Sequence, residues 1–328
     1  MNNPLIKRIK VLTKYWFYFA LAGVFVFGWI WPGVGGALKH GGLLPWLVAG
    51  AFFLNGFILA TGEVLHSIRE WRALGFTLVS SFVAAPLLVF VARMLLPGGE
   101  TPLAQGFQLL AVVPTMLVST VVLTRIARGN AALALFLTVS TNLLAIIIVP
   151  VLLRLTLGAS NISLDIPAIT TNLLLTVLLP TVIGQLAHHR WHTWVQRYQR
   201  VISVISQCVI LLFIIIAMVD IPRGNIPPVT WVITIGGALL LHVILLAASA
   251  SAGKAFRFDT PSRHALTFCG AQKSMAFFVI LYDRIYAAHP GFGLVVLPAI
   301  VFYVIELGLD SALAQRWGGS RSEGPLTQ

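Results

Sequence analysis

The sequence predicts an all-α polytopic membrane protein whose ten transmembrane helices form two inverted five-helix repeats. Three observations carry this. Hydrophobic residues make up 58% of the chain and charged ones 10%, against about 45–50% and 25% in soluble domains. Apolar runs of about 20 residues, each long enough to cross a hydrocarbon core as a helix, recur from end to end and leave no soluble domain over. Basic residues crowd into alternate connections. The ten spans then divide into two sets of five, so the second set begins on the opposite side of the membrane from the first.

The first span, 15–31, follows a basic stretch (Lys7, Arg8, Lys10, Lys14) that could head a signal peptide. The run from Tyr15 to Trp31 lacks a small-residue cleavage site, so it is read as a retained helix. Gly, Pro and charge then mark off 43–61, 73–96, 104–126, 131–157, 168–187, 201–219, 229–252, 262–285 and 293–315. Residues 1–160 hold the first repeat (helices 1–5), 161–316 the second (helices 6–10), and 317–328 a cytoplasmic tail.

Basic residues test this division independently. Sixteen of the 22 Lys and Arg residues fall at the N-terminus and in alternate connections, for example Arg69 and Arg72, Arg125 and Arg128, Arg190, and Arg316 and Arg321. Five fall on the other side (Lys39, Arg93, Arg154, Arg223, Arg284), and Lys273 belongs to neither. Cytoplasmic connections are the ones rich in Lys and Arg, so both termini are expected there. The net charge of +12 is this bias, with some attraction to anionic lipid. It requires no nucleic acid. Cys208 and Cys269 sit in apolar runs, and no residues have metal-ligand spacing.

The fourth and ninth spans occupy corresponding places in the two halves. Pro114 lies well inside the fourth and Gly270 at similar depth in the ninth. Proline removes a backbone donor and glycine weakens a helix, so each marks either an exposed break or a simple kink. Three residues past Gly270 comes Lys273, 11 residues into its span and roughly 16 Å along the axis. An unpartnered charge at that depth costs at least ~2.5–3.5 kcal/mol, so the ammonium should face protein, water or an anion. Glu306, roughly 20 Å down the tenth span, is at comparable depth. An ion pair with Glu306 and contact with a substrate are both open. Asp310 is expected nearer the cytoplasmic end, as a solvated carboxylate. Thr138, Ser140, Thr141 and Asn142 form a polar cluster in the fifth span, where hydroxyls can bond their own helix and the amide needs a partner. His242 and Gln207, each alone in an apolar run, are read as interhelical hydrogen bonders.

These residues resemble the bile acid:sodium symporter family, in its divergent bacterial SBF-like branch. The resemblance rests on Pro114 with Ser119 and Thr120, on ARGNAAL (Ala127 to Leu133), on LLPTVIGQL (Leu178 to Leu186) and on LTFCGAQKSMAFF (Leu266 to Phe278). It implies a panel and a core domain, with discontinuous helices 4 and 9 crossing at the substrate site, and a multi-pass protein of the bacterial inner membrane. It also implies an organic anion as substrate, usually moved with sodium. Carried over by position, Pro114, Ser119, Gly270, Gln272, Lys273 and Ser274 fall at the substrate site. Thr120, Thr138, Asn142, Gln272 and Glu306 are the candidates for ion binding or coupling. Where the family has a glutamate shared by two sodium ions this chain has Phe268, and where it has an asparagine, Lys273. Phenylalanine offers sodium no side-chain oxygen.

The expectation is thus a secondary transporter of an organic anion, with no cofactor and with sodium, a proton or neither as coupling ion. A cation/proton antiporter of related fold is the near alternative, favoured if Glu306 binds the cation. A non-transporting membrane regulator or scaffold is the distant one. An enzyme would need a nucleophile with its base, or a metal cluster, at one depth, and the sequence offers neither.

Overall fold

The structure, a computed structural model, describes residues 4–58, 70–95, 101–157, 164–224, 226–286 and 291–319. Arg69, Arg321 and the expected tail beyond residue 319 lie outside the described residues. Every regular element among the described residues is helical. Among the described residues, seven helices are long and apolar enough to cross a membrane, or eight if a pair bent by 88° at Trp31 counts as one span.

In order, the helices are α1 (Pro4–Ile30), α2 (Pro32–His40) and α3 (Leu43–Ile58), then α4 (Trp71–Leu95). Next come α5 (Pro102–Val112), α6 (Val118–Ile126) and α7 (Ala131–Leu157), followed by α8 (Ile166–Val195) and α9 (Val201–Asp220). The last four are α10 (Pro228–Ala255), α11 (Thr260–Ala271), α12 (Met275–Ile285) and α13 (Leu297–Gly319). Sequence reading left residues 32–42 as a connection, whereas α2 is helical. Pro32 starts that helix, since proline suits the first turn, where no N–H is needed.

Proline also explains two widened turns. A π turn at Ser80–Ala84 precedes Pro86 in α4, and another at Leu174–Leu178 precedes Pro180 in α8. The ring would collide with the carbonyl four residues back, and one wider turn relieves it. α6 and α10 end alike. Arg128 and Arg257 take left-handed φ values of 55° and 56°. The next N–H then bonds a carbonyl five back, Gly129 to Thr124 at 2.7 Å and Phe258 to Gly253 at 3.1 Å. This closure is more often built with glycine.

Small residues set the tightest helix contact. A Cβ on Gly56 of α3 would meet the Thr181 backbone, and one on Gly184 of α8 the Phe53 backbone, so both must stay glycine for the axes to approach. Large apolar side chains such as Ile147 and Leu155 on α7, Leu186 on α8 and Val232 on α10 point outward. Such a coat suits hydrocarbon rather than water. At the far end of α9, Lys39 of α2 pairs with Asp220 at 2.5 Å, and the Tyr282 hydroxyl of α12 also bonds Asp220.

Candidate functional site where two broken helices meet

The expected fourth and ninth spans are both broken. Thr101 caps α5, accepting from the Ala104 N–H at 3.4 Å, and Pro102 opens it. It ends before Pro114, which forces the preceding residue to extended geometry; Val113 has φ −73° and ψ 150°. No proline breaks the ninth span. There Gln272 adopts the same geometry, φ −74° and ψ 150°, and Ser274 caps α12 by accepting from the Phe277 N–H at 3.3 Å. Gly270 is required by close packing, since a Cβ would strike the Ser249 hydroxyl.

The two breaks touch. The Ser274 N–H donates to the Pro114 carbonyl at 2.8 Å, and the Thr115 hydroxyl donates to the Cys269 carbonyl at 2.6 Å. Buried carbonyls at a break need donors, and several find them in side chains here. The Lys273 ammonium takes Ala111 at 2.8 Å and Val113 at 3.1 Å. The Asn142 amide takes Thr115 at 2.8 Å, and the Thr120 hydroxyl lies against Met116. Gly270 accepts from the Ser80 hydroxyl at 2.7 Å.

The third Lys273 proton goes to the Ser81 carbonyl at 2.9 Å. Local sequence makes that carbonyl available. The Ala85 N–H serves Ser80, and residue 86, being proline, has no N–H for Ser81. All three ammonium protons therefore meet main-chain carbonyls, two of them at the negative end of α5, where a cation is favoured. Of the two alternatives open for Lys273, the side-chain ion pair with Glu306 is not formed. Glu306 instead accepts from the Lys273 main-chain N–H at 3.3 Å, and its other oxygen has no partner among the described residues.

Asp310 corrects the sequence reading, being fully buried rather than solvated. Its two oxygens bond His242 Nε2 at 2.9 Å and Gln272 Nε2 at 2.6 Å. The Gln272 oxygen in turn faces Ser119 Oγ at 3.1 Å and the Thr120 hydroxyl. One chain of hydrogen bonds thus runs from α10 through α13 and the α11–α12 break to α6. His242 is an interhelical hydrogen bonder, as expected. Asp310 could have been found in the sequence, because it shares a helix face with Glu306, and one deep carboxylate implies the other faces protein.

Thr138 turns its hydroxyl onto Ala134 and Leu135 of its own helix, while Asn142 reaches across to the break. A cavity of about 300 Å³ lies beside α6, bounded by Trp16, Ser119, Gln207, Tyr303, Ser311 and Gln315 among others. That is the lower end of the range for small-molecule sites. Of the expected substrate residues only Ser119 lines it. Lys273, Gln272, Ser274, Gly270 and Pro114 are not among its lining residues.

The chain is an integral, multi-pass membrane protein with two interrupted helices meeting in its interior. It belongs to the SBF-like CPA transporter family, which matches residues 15–318. Among curated proteins it is similar to sodium/bile acid cotransporter 7 of Xenopus tropicalis, 27% identical over 320 residues, covering 93% of this chain and 92% of the other. The Rattus norvegicus protein of the same name is 26% identical over 337 residues, covering 98% and 97%. An uncharacterised Pseudomonas aeruginosa protein is 28% identical over 277 residues, covering 83% of each.

Proposed function

We propose that the chain is a secondary transporter of a small organic anion, working by alternating access around the contact of its two broken helices. In this reading ten helices form two inverted five-helix repeats, residues 1–160 and 161–316, with α5–α6 and α11–α12 as the crossing pair and both termini cytoplasmic, in the bacterial inner membrane. The matched backbone geometry of Val113 and Gln272, and the hydrogen bond that joins the two breaks, support it. The substrate sits in the cavity beside α6, against Ser119 and the start of that helix, where backbone N–H groups favour negative charge.

The observation that carries the reading is Lys273. Its ammonium fills a ring of three carbonyls at the crossing, the kind of oxygen site that would otherwise suit a metal cation. It is therefore a fixed cation of the scaffold rather than a substrate ligand, and transport should depend little on sodium. Thr120 and Asn142 serve the helix break, and Thr138 its own helix, rather than a sodium shell. The test is a thermal-shift screen of the purified protein against organic anions, in sodium and in choline salts, followed by uptake of each stabilising anion into proteoliposomes. If no anion both stabilises the protein and enters the vesicles, the reading fails.

A cation/proton exchanger is the second reading, favoured by the buried Glu306 oxygen that has no partner among the described residues. It predicts that adding sodium or potassium releases protons from vesicles without any organic anion.

A further inference from the structure

The hydrogen-bond donors that line the cavity beside α6 can be accounted for one by one. Ser206 gives its only hydroxyl hydrogen to the Ile202 carbonyl of its own helix at 3.1 Å. Ser119 gives its own to Met116 Sδ at 2.7 Å or to Gln272 Oε1 at 3.1 Å. Tyr303, Ser311 and Gln315 each have a partner too. Two side chains differ. Gln207 on α9, read from the sequence as an interhelical hydrogen bonder, and Trp16 on α1 both line the cavity, and neither makes a hydrogen bond among the described residues. Both are half-buried. An amide left unpaired inside an apolar helix keeps two hydrogens for whatever fills the space, and the indole adds a third.

We propose that the cavity takes a monoanion of benzoate size with an apolar body, and that Gln207 is the donor that selects it. The inference rests on the reading of the chain as an organic-anion transporter and names the class of anion. Size follows from the cavity. Its volume of about 300 Å³ is the share of roughly ten water molecules, which a single ring with one carboxylate fills and the fused rings of a steroid exceed.

Charge follows from what the wall lacks. No Asp, Glu, Lys, Arg or His lines it among the described residues, and Lys273, held by its three carbonyls, is not on it. One carboxylate can exchange its water for neutral N–H donors, because hydrogen bonds to an ionised acceptor are the strong ones. A second would be buried without a counter-charge, at a high cost. Much of the remaining wall, with Phe17, Met116, Leu123 and Ile210, is apolar. It suits a hydrocarbon body, while the few polar groups fix the orientation.

Binding of radiolabelled benzoate to the purified full-length protein in nanodiscs at neutral pH tests the proposal. Unlabelled phenylacetate and monomethyl terephthalate should displace the label. Terephthalate, which differs from its monomethyl ester by a second charge, should not, and neither should cholate, a monoanion with a larger body. Gln207→Leu should weaken benzoate binding about ten- to a hundredfold, as expected for one hydrogen bond to a charged group. Its melting temperature should stay close to that of the parent, because the amide bonds nothing in the protein. Should that variant fold poorly, Gln207→Glu, of the same size but only an acceptor when ionised, should abolish binding, and Gln207→Asn should keep part of it. The proposal is overturned if benzoate does not bind, if terephthalate or cholate binds as tightly, or if Gln207→Leu binds benzoate like the parent. Benzoate failing while another anion of the screen stabilises the protein and enters vesicles would sink this inference and leave the transporter reading standing. Failure of every anion would sink both.

Discussion

Lys273 can be removed only by leaving three buried carbonyls, Ser81, Ala111 and Val113, without donors. Each such group costs about 1–3 kcal/mol, so Lys273→Ala should destabilise the protein by at least about 3 kcal/mol, read as a lower melting temperature. Had the residue been one half of an ion pair, deleting the other half would restore stability. Here Lys273→Ala combined with Glu306→Ala should recover little, because Glu306 touches only the main chain of Lys273. Full recovery in the double variant would show the carbonyl ring to be incidental. The lysine was legible in the sequence, since a charge that deep needs a reason. Its ligands were not. They are backbone atoms of distant segments, and a backbone carbonyl leaves no mark in an amino-acid sequence beyond the proline that frees it.

At the scale of single helices, the two arginine-closed ends invite a stability test. Left-handed backbone strains a residue with a Cβ by about 1–2 kcal/mol, a strain glycine escapes. Arg128→Gly and Arg257→Gly should each raise stability by about 1 kcal/mol, and a loss instead would mean the side chains hold something. Packing between α10 and α11 makes a second test. Gly270→Ala should strike Ser249, and Ser249→Gly in the same chain should restore much of the melting temperature. Legibility differed between the two breaks for a physical reason. Pro114 forbids helix continuation by its covalent structure, whereas the ninth span is interrupted without a proline, its carbonyls drawn off by Thr115 of the other break and Ser80 of α4. Likewise α2 was missed because Pro32 and its neighbouring glycines suggest a turn, although proline is equally at home as the first residue of a helix.

Across the whole molecule, the cavity beside α6 runs toward the ends that carry Arg125 and Arg316, while Lys39, Asp220 and Tyr282 join α2, α9 and α12 at the opposite ends. None of those three residues lines the cavity, and the face away from it is marked by this cluster. Asp220→Asn should loosen it, so a cysteine placed at Ser119 should become more reactive toward a membrane-impermeant maleimide added from that face. Unchanged labelling would remove the cluster from any gating role. High salt should act in the same direction as Asp220→Asn on the parent protein, because partly exposed ion pairs are screened.

A dissolved ion fills its site in proportion to its concentration, and a protein that holds sodium between two helix ends gains about 2.7 kcal/mol at a hundredfold excess over Kd. The ammonium of Lys273 is tied to the chain and obeys no such law. Its occupancy is the same in dilute and concentrated medium. On the proposed reading the ring of carbonyls at the crossing is filled by the chain itself, and a sodium gradient across the membrane would find nothing there to load or unload. The melting temperature should accordingly be equal in sodium and choline salts of the same ionic strength, and a chain of this kind can work in surroundings where sodium is scarce.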